Sequence, residues 1–110
     1  MNDKFLNLLG ICRRAGSLCL GHDSGIESIV KNRAKLCVIS TGASERLSNE
    51  FKHACSFEDK DVKVIEAVYD MVELSSAVGS KAAVVTVTDE GFAKKLIQLY
   101  AENIDNNSNN

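Results

Sequence analysis

The chain has 110 residues, a hydrophobic content of 45% and a formal net charge of -2 at pH 7. This size and composition are typical of one soluble globular domain, and such a domain folds without disulfides or a structural metal. The slightly acidic balance counts against nonspecific nucleic-acid binding, which needs a positive overall field. A local basic region stays open, because the first third of the chain contains Arg13, Arg14, Lys31, Arg33 and Lys35.

The four cysteines, Cys12, Cys19, Cys37 and Cys55, contain no C-x-x-C pair of the kind that binds zinc or forms a redox dithiol. Free cysteines beside apolar residues behave as small hydrophobes. We therefore expect no metal, no cofactor and a reducing, cytoplasmic location. The N-terminus carries Asp3 and no long apolar run, so we expect neither a signal peptide nor a membrane span.

The first element is predicted to be a helix from Asp3 to Ala15, because apolar residues recur there at helical spacing. Asn2 or Asp3 is its candidate N-cap, and Gly16 ends it. The short apolar segment Ser17 to Leu20, bounded by glycines, predicts a brief strand.

A second helix follows, with Asp23 or Ser24 as its candidate cap and Gly25 weakening its first turn. Its predicted buried face is Ile26, Ile29 and Val30. The segment Lys35 to Ser40 then contains four consecutive apolar residues, which favours a central strand covered on both faces.

The second half of the chain repeats this alternation. Ser44 is predicted to cap a third amphipathic helix, and Val62 to Ile65 is a short strand. A fourth helix from about Asp70 to Val78 ends at Gly79. Ala82 to Thr88 is predicted to be a second buried strand.

A last helix begins near Asp89 and passes through Phe92, Leu96 and Leu99. Alternating helices and strands predict an α/β fold, a three-layer α/β/α sandwich around a four-stranded mixed sheet. Residues 1–103 are expected to form this single domain. Residues 104–110, mostly asparagine, are expected to be a disordered tail.

Three stretches together resemble a known family: LLGICRRAG at 8–16, AKLCVI at 34–39 and TDEGFAKKL at 88–96. They are similar to the short bacterial YlxQ-type proteins. That group lies within the superfamily of archaeal and eukaryotic ribosomal proteins that bind kink-turn RNA. The resemblance runs from about Phe5 to Leu99 and implies a non-enzymatic, ribosome-associated protein whose partner is structured RNA, ribosomal RNA above all.

The resemblance also implies an RNA-binding edge formed by Gly21 to Ile26 and Gly79 to Ala83. A helix N-terminus there would offer unpaired N–H groups to a phosphate or base edge, and the small residues Ala82 and Ala83 could pack under an unstacked nucleotide. Lys81 is the best-placed lysine. The candidate RNA-binding residues are Arg13, Arg14, Gly21, His22, Asp23, Ser24, Lys31, Arg33, Lys81, Ala82 and Ala83.

The chain departs from the family's pattern at this edge. Kink-turn binders resemble one another in a Gly-x-Asn-Glu sequence followed by a lysine three residues later. Here the corresponding residues are Gly21, Asp23, Ser24 and Glu27. An amide donor and a cation are replaced by acids, so we expect weak, strongly salt-dependent binding to a kink-turn.

Several residues have alternative interpretations. Arg13 and Arg14 could bind phosphate or complement the dipole at a helix C-terminus. A solvated face is the alternative for Lys31 and Arg33. The altered edge leaves open a protein-interaction module that has lost the RNA site.

An enzyme is the third hypothesis, and it depends on Cys19 as a nucleophile near His22. The His22–Asp23 pair could orient a proton-transfer group. However, no substrate-binding motif accompanies it, and a turn or capping role is the alternative.

Overall fold

The computed structural model describes the backbone of residues 3–108 and the side chains of residues 3–103. Five helices and four strands alternate within this range, in the predicted order. They are α1 (Lys4–Arg14), β1 (Leu18–Leu20), α2 (His22–Val30), β2 (Leu36–Ile39), α3 (Glu45–Ser56), β3 (Lys63–Glu66), α4 (Met71–Val78), β4 (Val84–Val87) and α5 (Glu90–Ser108).

The four strands form one mixed sheet in the order β1-β4-β2-β3. Strands β2 and β3 are parallel, whereas β4 is antiparallel to both β1 and β2. Every residue of β2 and β4 is buried. Helices cover both faces of these central strands, which explains why their sequences are continuous apolar runs rather than alternating ones.

Two hydrophobic clusters lie on opposite faces of the sheet. Successive strand residues face opposite sides, so Leu36 and Val38 join the cluster beneath α1, α4 and α5, while Cys37 and Ile39 join the cluster beneath α2 and α3. The predicted three-layer α/β/α sandwich is therefore confirmed. Within the described residues, no helix is long and apolar enough to cross a membrane.

The predicted ends of three helices are also confirmed. Asp3 Oδ1 accepts a hydrogen bond from Leu6 N at 3.0 Å, and Ser44 Oγ accepts one from Leu47 N at 3.1 Å. Asp70 forms a capping box at the start of α4. Gly79 ends that helix in the left-handed conformation, with φ 80°, which glycine adopts without steric cost.

The start of α2 corrects the sequence-based expectation. The helix begins at His22 with Gly21 as its N-cap, so neither Asp23 nor Ser24 caps it. The predicted buried residue Val30 is 61% exposed, and Gly25 and Ser28 are buried instead. Packing against α3 explains this rotation.

Gly25 determines how closely α2 and α3 approach. A Cβ atom at this position would lie 2.9 Å from Phe51 Cε1, so only glycine fits against the ring without a shift. Gly25 lowers the helix propensity of α2, but it also allows α2 to pack closely against α3.

Helix α5 continues through Ser108, whereas the domain was expected to end at residue 103. Each added helical residue gains a backbone hydrogen bond once a helix is nucleated, so a helix can continue past its last buried residue. The backbone of residues 104–108, where a disordered tail was expected, is therefore helical. Side chains beyond Asn103 and the backbone of the last two residues lie outside the described residues.

Two buried serines differ in their hydrogen bonding. Ser28 Oγ donates to Gly25 O at 2.7 Å and lies 3.2 Å from Thr86 Oγ1, which can donate to it in turn. Ser40 is 4% exposed, and its Oγ has no partner among the described residues. A buried hydroxyl without a partner costs free energy, whereas a bonded one does not.

We predict that Ser40→Ala raises the free energy of unfolding by about 1 kcal/mol, because it removes an unpaired buried hydroxyl. Ser28→Ala is the matched control and should lower it by about 1 to 2 kcal/mol, since Gly25 O and Thr86 Oγ1 lose a partner. Urea unfolding followed by circular dichroism measures both. Equal destabilisation by the two substitutions would contradict the assignment.

Helices α1 and α4 lie side by side and run in the same direction. Asp3 Oδ2 accepts a hydrogen bond from Tyr69 OH at 2.6 Å at one end, and Arg13 Nη1 donates to Val78 O at 3.2 Å near the other. Between these contacts, a Cβ atom on Gly10 would lie 2.8 Å from the carbonyl oxygen of Ala77. Glycine therefore sets the spacing of this helix pair.

We predict that Gly10→Ala destabilises the protein by about 1 to 2 kcal/mol. Alanine gains up to about 1 kcal/mol in helix propensity, but overpacking against a backbone atom costs about 1 to 3 kcal/mol. Gly91→Ala in α5 is the control, because its Cβ would meet only the Asp89 carboxylate, at 3.2 Å. Thermal denaturation compares the two, and a stabilised Gly10→Ala protein would show that the helices separate freely.

Candidate nucleic-acid interface

Two backbone hydrogen bonds hold the end of β1, the end of β2 and the start of β4 together at one end of the sheet. Gly21 N donates to Val84 O at 3.2 Å, and Ser40 N donates to Ala83 O at 2.9 Å. The first turn of α2 therefore adjoins the loop that precedes β4. We call the surface formed by residues 21–26 and 79–83 the α2 edge.

The N-terminus of α2 carries no side-chain cap. Gly21 cannot supply one, and Ser24 Oγ donates to Leu20 O at 2.8 Å instead. The first N–H groups of a helix have no intrahelical partner, and they lie at the positive end of its dipole. These donors are consequently available to an acceptor outside the helix, such as a phosphate oxygen.

His22 lies between two carboxylates on different helices. Its Nδ1 is 2.8 Å from Asp23 Oδ1, and its Nε2 is 2.6 Å from Glu50 Oε2. A carboxylate only accepts hydrogen bonds, so both contacts form together only when both ring nitrogens donate, which is the protonated, imidazolium form of the ring. The hydrogen bond to Asp23, and then that to Glu50, raises the pKa of His22 above its ordinary value of 6.5.

This arrangement joins α2 to α3. The His22 ring also meets the Phe51 ring edge-on, with 6.0 Å between the ring centroids. Sequence reasoning placed His22 beside Asp23 but missed Glu50, which is 28 residues away along the chain. The only available signal was the position of Glu50 on the polar face of its helix.

Backbone groups of Ala82 and Ala83 hold the loop of the α2 edge in place. Ala82 is 3% exposed, and its N–H donates to Ser75 Oγ at 3.0 Å. Its methyl group belongs to the core and has no surface to offer a nucleotide, which corrects that expectation. Ala83 is half-buried, whereas Lys81 is exposed at the surface of the loop.

Lys31 and Arg33 lie at the other end of α2, about 13 Å from its first residue at 1.5 Å per residue. Both contact the same atom, Glu27 Oε1, from Lys31 Nζ at 3.4 Å and Arg33 Nη2 at 3.2 Å. Asp23, Glu27 and Lys31 are four residues apart and form one row on the helix. Two cations thus surround the single carboxylate of Glu27.

The two arginines of α1 lie in different surroundings. Arg13 donates to the carbonyl oxygen of Val78, so it complements the C-terminus of α4, next to the loop of the edge, rather than only that of its own helix. Arg14 is exposed and lines a groove between α1 and α4. Neither side chain contacts the first turn of α2.

The proposed Cys19–His22 pair gains no support from the geometry. No hydrogen bond joins the two residues within the described part of the chain, and both ring nitrogens of His22 already contact carboxylates. A general base needs a free nitrogen within hydrogen-bond reach of its nucleophile.

We predict that NMR titration gives His22 a pKa above 6.5 and that Glu50→Gln lowers it, because a negative acceptor is lost. Because the pKa of His22 is raised in the folded protein, its contacts with the two carboxylates stabilise the fold fully below pH 6.5. This stabilisation is lost as the pH rises through the pKa of the folded state. Glu45→Gln, on the same helix, is the control. Identical His22 titrations in both variants would contradict the assigned contact.

Comparison with known sequences supports the predicted relationship. The model of the Ribosomal protein L7Ae/L30e/S12e/Gadd45 family matches residues 3–97. RNA-binding protein YlxQ of Bacillus subtilis (strain 168) is 36% identical over 93 residues, which cover 84% of this chain and 90% of the relative. RNA-binding protein YlxQ of Enterococcus faecium is 31% identical over 96 residues, covering 87% and 90% respectively.

Solved structures share the fold. A protein with unknown function from Bacillus halodurans superposes with a TM-score of 0.80 at 28% identity, covering 91% of this chain and 99% of that one. The Giardia lamblia 15.5kD RNA binding protein superposes with a TM-score of 0.73 at 16% identity, covering 93% and 89%, and shows the fold alone. The resemblance to YlxQ-type proteins is confirmed, and the chain belongs to the Ribosomal protein L7Ae/L30e/S12e/Gadd45 family.

Proposed function

We propose that this protein is a non-enzymatic RNA-binding protein that docks a structured RNA on the α2 edge. The observation that carries the proposal is the uncapped N-terminus of α2 lying beside the loop of residues 79–83. It occurs in a chain whose relatives are named RNA-binding proteins. Ribosomal RNA, alone or within the ribosome, is the proposed class of partner, because the family is named for ribosomal proteins.

Docking is noncovalent in this proposal. The unpaired N–H groups of the first α2 turn bind phosphate oxygens or a base edge, and Lys81 adds a cation from the neighbouring loop. His22 lies at the same helix end, but Asp23 and Glu50 offset the charge that it carries when protonated. Phosphate contacts therefore dominate over base-specific ones, which makes the affinity steeply salt-dependent.

The cations at the far end of α2 extend the surface. Glu27 occupies the position of the family's lysine, and Lys31 and Arg33 contact its carboxylate. All three groups are exposed, so these ion pairs are weak and solvent-screened. If an RNA strand runs along α2, Lys31 or Arg33 can leave Glu27 and bind a phosphate instead.

Two further features fit this function. Both nitrogens of His22 are engaged by carboxylates, which leaves no free base for the enzyme hypothesis. The four cysteines are free thiols, three of them buried, and free thiols are typical of the reducing cytoplasm. We propose that the protein works there.

The alternative function is a protein-interaction module on the same fold. It is favoured by the acids at the α2 edge, because Asp23 is fully exposed and Ser24 Oγ is directed to its own backbone. Pull-down after nuclease treatment separates the two functions. Partners that persist without RNA, from a protein that crosslinks to none, would favour the module.

We predict that the unmodified protein binds a kink-turn RNA weakly and that Asp23→Asn, Ser24→Glu and Glu27→Lys together strengthen binding. Hydrogen bonds to charged groups contribute about 1.5 to 3 kcal/mol each, so two regained contacts improve affinity by roughly a hundredfold or more. Fluorescence anisotropy over a salt series, with a straight RNA duplex for comparison, measures this.

A charge-matched pair of variants locates the site. Lys81→Glu should weaken binding by about tenfold, because a phosphate contact becomes a repulsion. Lys95→Glu makes the same change in net charge on the exposed face of α5 and should have a much smaller effect. Equal effects would show that the α2 edge is not the RNA site, and tight, salt-insensitive binding by the unmodified protein would contradict the proposed mode.

A further inference from the structure

A groove of about 710 Å³ lies between α1 and α4, in the layer opposite to α2 and α3. It exists because these helices run in parallel and touch closely at Gly10 and Ala77. From Asp3 to Arg14 the groove follows α1 for about 16 Å, or three helical turns.

Apolar side chains line the middle of the groove. Val72 of α4 is 76% exposed and Ile11 of α1 is 44% exposed, and the half-buried residues Leu6 and Ala77 lie between them. Burial of these exposed apolar side chains against a partner would release water.

The two ends of the groove carry opposite charges. Asp3 and Glu73 line the end at which both helices begin, where hydrogen bonds from Tyr69 OH and Asp70 N hold the carboxylates. Arg14 lines the end at which α1 finishes, and it makes no hydrogen bond or ion pair within the described residues. The charge along the apolar groove therefore changes from negative, where the two helices begin, to positive, where α1 ends.

We propose that this groove binds an amphipathic helix of a partner protein, antiparallel to α1 and α4. An antiparallel helix aligns its dipole favourably with the two parallel dipoles of the groove. Acidic residues in its first turn meet Arg14, and basic residues in its last turn meet Asp3 and Glu73. Its apolar face, repeating at i, i+3, i+4 and i+7, covers Ile11 and Val72.

This site is distinct from the α2 edge. No residue of the α2 edge lines the groove, and α2 lies on the other face of the sheet, although the loop of residues 79–83 directly follows α4. A partner helix in the groove therefore leaves the first turn of α2 uncovered, and the groove proposal does not rest on the proposed RNA function.

Two stapled helical peptides of about 15 residues test the proposal, the staple keeping each helical irrespective of its charges. They share one apolar face; one has acids first and lysines last, and the other has the reverse. Titration into the full-length, nitrogen-15-labelled protein should shift amide resonances of α1 and α4. The first peptide should bind about three- to tenfold more tightly, as expected for two exposed ion pairs.

Substitutions in the groove distinguish the apolar from the charged contributions to peptide binding. Ile11→Gln with Val72→Gln should abolish binding of both peptides, whereas Val30→Gln, an equally polar change at an exposed valine of α2, should not alter it. Arg14→Glu should remove or invert the preference between the peptides. Melting curves confirm that each variant is folded.

Three results would overturn the proposal: no shift with either peptide, equal affinity for the two peptides in the unmodified protein, or shifts that map to the α2 edge. Shifts of the groove resonances that depend on protein concentration alone would identify a second copy of the chain as the occupant and would also overturn it. Groove shifts on adding kink-turn RNA would assign the surface to RNA instead.

Discussion

The backbone pairing at the start of β4 determines where the candidate interface lies. β4 is the only described strand with antiparallel neighbours on both sides, and just before it Ala83 O accepts from Ser40 N while Val84 O accepts from Gly21 N. These bonds fix the end of β1, the end of β2 and the preceding loop at one edge. Because Gly21 also begins α2, the same pairing presents the positive end of that helix.

The charges around α2 are largely compensated in place. When protonated, His22 offsets Asp23 and Glu50, while Lys31 and Arg33 offset Glu27. The proposed RNA surface is therefore compatible with a net charge of -2. Exposed ion pairs are weak enough to exchange for phosphate. In the proposed function, the affinity for RNA therefore depends on how easily Lys31 and Arg33 exchange their contacts with Glu27 for contacts with phosphate.

The order of the elements, the caps at Asp3 and Ser44 and the stop at Gly79 were all predictable from the sequence. Caps and hydrophobic periodicity act within three or four residues, so a single chain segment contains the whole signal. The family resemblance added the juxtaposition of the two segments that form the α2 edge. Continuous apolar runs likewise predicted strands buried on both faces.

Only the tertiary structure decided the phase of α2, the partners of its charged residues and the position of Arg14. Gly25 faces α3 because Phe51 leaves no room for a side chain, and Val30 is consequently rotated outward. The contact between His22 and Glu50 spans 28 residues, and no local pattern encodes such a pairing. By itself, the sequence determined which segments form helices and strands, since those signals are local. Which side chains meet depended on how the layers pack, since packing joins residues that are distant in the chain.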